Sequence, residues 1–359
     1  MTRREMLRLL KGGAGLGGLT LLGCHMPENT APPEKVLFWD DFEDNTLDLT
    51  KWSCEHAMRR ENDLQLYSQE KVAVENGCLV LTARRENGQI LSGSVHTAGK
   101  FEFGPGTRVS IRARLESGYG AWPAIWMQAS RFTEEFPQEI WPAGGEIDLM
   151  EAYLPEDGSE TTVHGYDTAG MLRHQSLQCP AVQLEHWHLY EMEWTGESLR
   201  FFLDNALYGE VPVRSFKAPN GFLPFCDDTN AMFIHLNLAV QRQLRDGVPV
   251  EVMNVPQEMR FLIDFVRVTA KQPDLALVSV AFGKHEAVIK QYNNIKLYVC
   301  TSPKAVDRTV HWNVSEGNIL VPSPSNSVMG NFYAANKGVA HVTVTTPSGG
   351  RDVCRVTVV

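Results

Sequence analysis

Three carboxylates fall within six residues of an otherwise apolar run, Gly144-Gly145-Glu146-Ile147-Asp148-Leu149-Met150-Glu151-Ala152-Tyr153. Two carboxyl groups held about 5–5.5 Å apart can cleave a glycosidic bond with retention, one as nucleophile and the other as proton donor and acceptor. The nucleophile must stay ionised. The acid must keep its proton near neutrality, which neighbouring negative charge favours. A third acid between them can hydrogen-bond the nucleophile and tune both. This chemistry needs no metal and no other cofactor. Taken alone, the same acids also suit a solvated face or a Ca2+ site, although a solvated face usually mixes charges of both signs.

On a regular strand successive side chains alternate between faces. Glu146 and Asp148 then share a face, and Glu151 falls on the opposite one. A one-residue bulge near Leu149-Met150 restores it. The spacing therefore predicts a bulge there, with all three acids on one side of a sheet. Aromatic residues crowd the same region. Trp122 and Trp126 lie in Gly118-Tyr119-Gly120-Ala121-Trp122-Pro123-Ala124-Ile125-Trp126-Met127, and Trp141 stands just before the acids. Indoles suit the apolar C–H faces of sugar rings. Each Trp alone fits a core equally well; together they predict at least one facing a cleft.

The elements that must carry these residues are strands. From Val36 to about Ala270, short alternating runs such as Cys78–Ala83, Arg108–Leu115, Leu189–Trp194, Ser198–Leu203 and Met232–Ala239 are separated by Gly, Pro, Asn and Asp. Long 3.6-residue periodicity is lacking, so the chain reads as all-β: a large sandwich of two curved antiparallel sheets. A second unit is expected over residues 275–359. It closes on a hairpin with Ala340, Val342 and Val344 on one face of the first strand and Cys354, Val356 and Val358 on one face of the second. Trp312 suits its core, as do Ile295, Leu297 and Val299. With some seven strands this is an immunoglobulin-like sandwich.

The formal charge is −10, and the first 23 residues are basic (Arg3, Arg4, Arg8 and Lys11 against Glu5), so the remainder is more acidic still. Such a body repels a phosphate backbone, and nucleic acid is not expected as a partner. Residues 12–23 are apolar and Gly-rich but too short to span a bilayer. They end in Leu21-Leu22-Gly23-Cys24, which resembles a bacterial lipobox whose Cys24 is lipidated; the paired arginines resemble a twin-arginine export signal. Residues 1–23 are thus expected to be a signal peptide and residues 24–34 a tether. The product would be an exported, monomeric lipoprotein of the cell envelope, periplasmic or surface-exposed, touching the membrane only through its anchor. Of the seven cysteines, six then remain, and export permits disulfides among them. None forms a Cys-x-x-Cys pair, which argues against zinc, and six cysteines allow 15 pairings.

Trp122-Pro123-Ala124-Ile125-Trp126-Met127, followed by Trp141-Pro142-Ala143-Gly144-Gly145-Glu146-Ile147-Asp148-Leu149-Met150-Glu151, resembles glycoside hydrolase family 16 in its laminarinase-like branch. The Glu-x-Asp-x-x-Glu motif matches without gaps. Glu61-Asn62-Asp63-Leu64-Gln65-Leu66-Tyr67, Gly77–Ala83, Thr162–Gly165, Tyr190–Thr195, Asn237–Val240 and Ile263–Val268 match in the family's order. The resemblance spans about 36 to 270 and implies a concanavalin-like β-jelly-roll over 35–271. It implies Glu146 as nucleophile, Asp148 as its supporting acid and Glu151 as acid/base. It makes Asn62, Trp122, Trp126 and Trp141 candidate sugar contacts. His164 is either a substrate contact or a hydrogen-bonded structural residue. It also implies a structural Ca2+ on Asp41, the Gly77 backbone and Asp264, oxygen donors as that ion requires. The C-terminal unit resembles the bacterial Ig-like domain, group 2, which implies a spacer or adhesion role.

The match departs at the sugar-binding wall. The family's Ser-Gly-Arg strand reads Ser92-Gly93-Ser94 here, so a multi-donor cation is missing at Ser94. After Asn237–Val240, Gln241-Arg242-Gln243-Leu244 and then Arg245 replace the usual Gly-Gly. These arginines suit either a solvated loop or a sulfated or acidic glycan. The reading reached is a retaining endo-glycosidase acting on β-1,3- or β-1,3/1,4-glucan of the laminarin or lichenan type. The alternatives are a β-galactan substrate (agar, porphyran or carrageenan), a transglycosylase built on the same intermediate, or a non-catalytic glycan-binding or adhesion protein.

Overall fold

The computed structural model describes residues 34–359 except 117, 131–140, 155–157, 220, 227–229, 271–278, 283, 303–308, 324, 326–328 and 348. Cys24 and all but Glu34 of the tether lie outside the described residues, as does most of the expected boundary between the two units. Among the described residues there is no α-helix, as the alternating pattern predicts. The runs noted above form Cys78–Glu86, Thr107–Glu116, His188–Trp194, Ser198–Leu203 and Met232–Val240.

Two sheets enclose the larger core. One has seven strands in the order Leu172–Gln178, Glu160–Tyr166, Glu146–Glu151, Ala121–Ala129, Met232–Val240, Ser94–His96, Ser53–Cys54. The other has ten, centred on Thr107–Glu116 and Glu258–Ala270. Strict alternation fixes which residues meet between them. Ile125 and Met127 from one strand, and Met232, Ile234, Leu236 and Leu238 from its neighbour, are fully buried against Leu79, Ile111, Ile263 and Val266 of the other sheet. Intervening positions of the same two strands, Trp122, Ala124, Trp126 and Gln128 with Phe233, His235, Asn237 and Ala239, line a cleft on the opposite face. This is the period of two expressed twice, once as core and once as site.

Two further four-stranded sheets lie between Ser279 and Val358. Their core holds Ala340, Val342, Val344, Cys354, Val356 and Val358, the predicted faces of the hairpin. Leu297 and Val299 are buried in it as expected, and Ile295 packs against it partly buried. Trp312 is also only partly buried, lying edge-on to Phe282 and Phe332 at 5.8 and 5.7 Å. The Glu286–Ile289 strand pairs parallel with Arg351–Val358.

The turn that delivers the acids is specified by Gly145. Its N–H closes on the Pro142 carbonyl at 2.9 Å. Its φ is +81°, and an added Cβ would stand 2.7 Å from Phe225 Cζ. Buried Asn230 holds the same turn, donating to the carbonyls of Gly144 and Pro224 at 2.8 and 2.6 Å. Left-handed strain on a non-Gly residue costs about 1–3 kcal/mol and overpacking a similar amount. Gly145→Ala should therefore lower the melting temperature by several degrees in scanning calorimetry. An unchanged melt would show that the turn is softer than this packing implies.

Candidate active site

The acid strand bulges where the spacing required. Against the Trp122/Trp126 strand, Asp148 pairs with Trp126 and Met150 with Ile125, so Leu149 is the extra residue. Against Glu160–Tyr166, Asp148 pairs with Thr162 and Glu151 with Glu160, again one residue over. Ile147, Leu149 and Met150 consequently all enter the core. Glu146, Asp148 and Glu151 all line the cleft, which has a volume of about 500 Å3.

Indole and phenol donors hold the two glutamates. Trp122 Nε1 donates to Glu151 Oε1 at 2.7 Å, and the Tyr153 hydroxyl also bonds to Glu151. The Trp122 and Tyr153 rings lie 5.1 Å apart, tilted by 31°. On the other side the Trp141 side chain bonds to Glu146. Trp141 keeps 40% of its surface exposed, so its ring is open to the cleft. A carboxylate oxygen of Glu146, one of Asp148 and a ring nitrogen of His164 lie within 4.8 Å of one another. His164 Nε2 stands 2.6 Å from Asp148 Oδ2, yet the pair is not aligned as a hydrogen bond and that oxygen has no donor. The other nitrogen of His164 contacts Nδ1 of His174, and Trp141 lies against both imidazoles.

Burial dominates the electrostatics. Desolvation first, then the charge of Asp148, pushes Glu146 up to about 8, against the pull of His164 and Trp141. Asp148 is driven well above the usual carboxylate range by desolvation and then by Glu151 and Glu160. Glu151 is raised by desolvation and drawn back by its bonds from Trp122 and Tyr153. Burial lowers His164, which favours its neutral form. A raised Glu151 is what an acid catalyst needs. The rise at Glu146 runs against the expectation of a permanently ionised nucleophile. Its second cause disappears if Asp148, the most deeply buried of the three, takes the proton.

The remaining expected residues divide. Asn62 and Trp126 line the cleft, and His164 stands beside the acids. Trp126 is locked, with Nε1 donating to Asn237 at 2.6 Å and its ring stacked on His235 at 3.9 Å. Asp264 is buried and accepts from Arg112 Nη1 at 2.8 Å, so one of the three expected Ca2+ donors already faces a cation. Gly77 sits in the left-handed turn between Val72–Glu75 and Cys78–Glu86, and Asp41 is half-buried. The loop after Val240 is more than a solvated excursion. Arg242 donates to the Asp63 carbonyl at 3.0 Å. Arg245 pairs with Glu160 and lies 4.1 Å over the Tyr153 ring. Both line a recess of about 450 Å3 that shares Asn62 and Trp122 with the cleft.

Sequence reasoning missed Glu55, Arg60, His174 and His235, and gave Tyr153 no role. Tyr153 and His235 sit at cleft parity on strands, or next to strands, already recognised. Glu55 and Arg60 come from a loop in which no periodicity could flag them.

A bulged acid strand on the open face of a β-sandwich, with buried carboxyls flanked by indoles, defines a glycan-cleaving enzyme. The sequence model of "Glycosyl hydrolases family 16" matches residues 60–240. A beta-glucanase of Rhodothermus marinus is 32% identical over 267 residues, covering 69% of this chain and 91% of that one. An endo-beta-1,3-glucanase structure from Pyrococcus furiosus superposes with a TM-score of 0.55 at 26% identity, covering 66% of this chain and 94% of that one. A keratan-sulfate endo-1,4-beta-galactosidase of Sphingobacterium multivorum is 29% identical over 194 residues, 49% of this chain and 43% of its own. The chain belongs to glycosyl hydrolases family 16 and is a glycoside hydrolase.

The burial of Glu146 has a cost that can be measured. Its folded value near 8 exceeds the ordinary 4.5. Its contribution to stability is therefore complete below pH 4.5 and lost as pH rises toward 8, about 1.4 kcal/mol per pH unit. Glu146→Gln should melt several degrees above the parent at pH 8, with the gap closing at pH 4.5. A gap independent of pH would show that charge burial is not its source.

Proposed function

We propose that the chain is a retaining endo-glycosidase that hydrolyses β-1,3- or mixed β-1,3/1,4-glucan. The observation that carries this reading is the Leu149 bulge, which brings Glu146, Asp148 and Glu151 into one indole-walled cleft. The family relationship and the glucanase relatives support the substrate class. In this reading the Glu146 carboxylate attacks the anomeric carbon while Glu151 protonates the departing glycosidic oxygen. The resulting glycosyl-enzyme is then opened by water, whose proton Glu151 takes. Asp148, protonated, neither repels the Glu146 charge nor leaves that oxyanion without a nearby donor. His164 stands beside both acids on the neighbouring strand.

A second reading, the same reaction on a β-galactan, is favoured by Ser94 at the glucanase arginine position and by the galactosidase relative. We also propose that the enzyme is exported and anchored through Cys24, that residues 35–271 form the catalytic unit, and that residues 275–359 are an Ig-like spacer. Asp41, the Gly77 backbone and Asp264 would hold a stabilising Ca2+ that shares Asp264 with Arg112. Added CaCl2 should then raise the melting temperature over an EGTA control; coincident melts would remove the ion from the account.

The decisive assay follows new reducing ends on laminarin, lichenan, agarose, carrageenan and keratan sulfate. Cleavage of a β-glucan, with the β-anomer as first product by NMR, is the expected result. Glu146→Gln should lower the rate by at least about 10³-fold, as loss of a covalent catalyst implies. Cleavage of galactans alone would select the second reading. An α-anomer would overturn retention, and no cleavage at all would overturn the enzyme assignment of these carboxyls.

The hydrogen bond from Trp122 favours ionised Glu151. Trp122→Phe removes it, so Glu151 should hold its proton to higher pH. The basic limb of kcat/KM against pH should move upward; a fixed or lowered limb would mean that another group sets it.

A further inference from the structure

The guanidinium of Arg60 lines the cleft wall and is linked to Ser94 through Glu55. Ser94 is fully buried, and its hydroxyl donates to Glu55 Oε2 at 2.6 Å. Glu55 in turn accepts Arg60 Nη2 on both oxygens, at 2.7 and 2.8 Å. The small Ser94 therefore leaves room for Glu55, and Glu55 clamps Arg60. The Arg60 guanidinium lies 5.1 Å from the Tyr67 ring centroid and 5.4 Å from that of Trp126. Its backbone is fixed as well. Arg60 N–H donates to Asp63 Oδ2 at 3.0 Å, and Asp63 N–H returns to the Arg60 carbonyl at 3.2 Å. Gln65 and Leu64 then tie the loop to Val240 at the end of the Trp126-paired strand.

A planar cation held by aromatic faces and one carboxylate is pre-organised, so little entropy remains to be lost on binding. Arg60 lines the cleft, and among the described residues nothing accepts from its Nε or Nη1. Its side chain keeps 30% of its exposure. Trp126 offers little open ring for stacking, because His235 covers one face at 3.9 Å and the guanidinium stands over the ring. The hydrogen-bonding fork is what this wall presents to a ligand.

We propose that Arg60 is the specificity-determining residue of a saccharide subsite on the Glu55–Tyr67 side of the cleft, reading hydroxyl or ring oxygens of a neutral sugar. The sugar is neutral because Glu55 cancels the charge of Arg60, and Glu61 and Asp63 line the same wall. A sulfate or carboxylate there would meet net negative surroundings. This inference rests on the glycosidase reading and adds the residue that chooses the sugar.

The test titrates laminarihexaose, neoagarohexaose and a desulfated keratan hexasaccharide into Glu146→Gln enzyme, following tryptophan fluorescence. Arg60→Met, added to this background, keeps an apolar stem over Tyr67 and Trp126 but removes the fork. Binding of the preferred hexasaccharide should weaken roughly 10- to 100-fold, the range for charged hydrogen bonds. Arg60→Lys keeps the charge and the pairing with Glu55, and should still bind at least about tenfold more weakly than arginine. Thermal melts of both variants establish that they fold. In otherwise unmodified enzyme the loss should fall in KM, with kcat nearly unchanged. Binding within twofold of the parent by Arg60→Met, or full restoration by Arg60→Lys, overturns the subsite. If the Glu146→Gln parent binds none of the three hexasaccharides, the proposed glucan and galactan substrates fall and the subsite with them.

Discussion

One inserted residue governs the architecture of this enzyme. A strand that alternates perfectly would send Glu151 into the core and keep Met150 in water. With Leu149 bulged, two consecutive apolar side chains enter the core and the next acid returns to the cleft. The neighbouring strands tolerate the bulge because their own alternation is unbroken. Ile125 and Met127 face inward while Trp122 and Trp126 face the cleft. Thr161 Oγ1 donates to the Leu149 carbonyl at 2.8 Å, so a side chain occupies an acceptor that the distorted ladder would otherwise strand.

Clustering three acids in this way is expensive, and the surroundings reduce the expense selectively. Trp122 and Tyr153 serve Glu151, and Trp141 serves Glu146. Asp148 Oδ2 is left without a donor in the deepest position. Proton distribution in such a cluster belongs to the group and not to single residues. The site with no donor is where a proton costs least, and a proton there relieves the charge repulsion on Glu146. Instability is thus concentrated in a position that the reaction can use.

The acid strand, the bulge and the sandwich were legible from residues alone, because period-two alternation makes an error of parity visible. Glu151 could not share a face with Glu146 without an extra residue, and the apolar pair Leu149-Met150 was the place to put it. The core faces of the 340–358 hairpin were legible for the same reason. Trp126 was legible as a cleft residue, but its engagement by His235 and Asn237 was not, since both partners lie over 100 residues away in the chain. Arg60 was invisible because loop positions obey no period. Its role depends on Glu55 and on the smallness of Ser94, which are contacts across a fold and not a spacing.

That asymmetry separates what this chain does from what it acts on. The acids lie on a central strand between two hydrogen-bonded neighbours, where a shift of one residue would move core and site together. The 55–67 and 241–247 segments that border the cleft are tied to the sheet at Val240 by Gln65 and to each other by Arg242 at the Asp63 carbonyl. Such loops can carry a guanidinium such as that of Arg60 into the cleft wall while the acid strand stays as it is. A family motif therefore fixes the bond-breaking chemistry closely and constrains the sugar weakly. The substrate must be sought in the contacts of the cleft wall, where Ser94, Glu55 and Arg60 form one hydrogen-bonded chain.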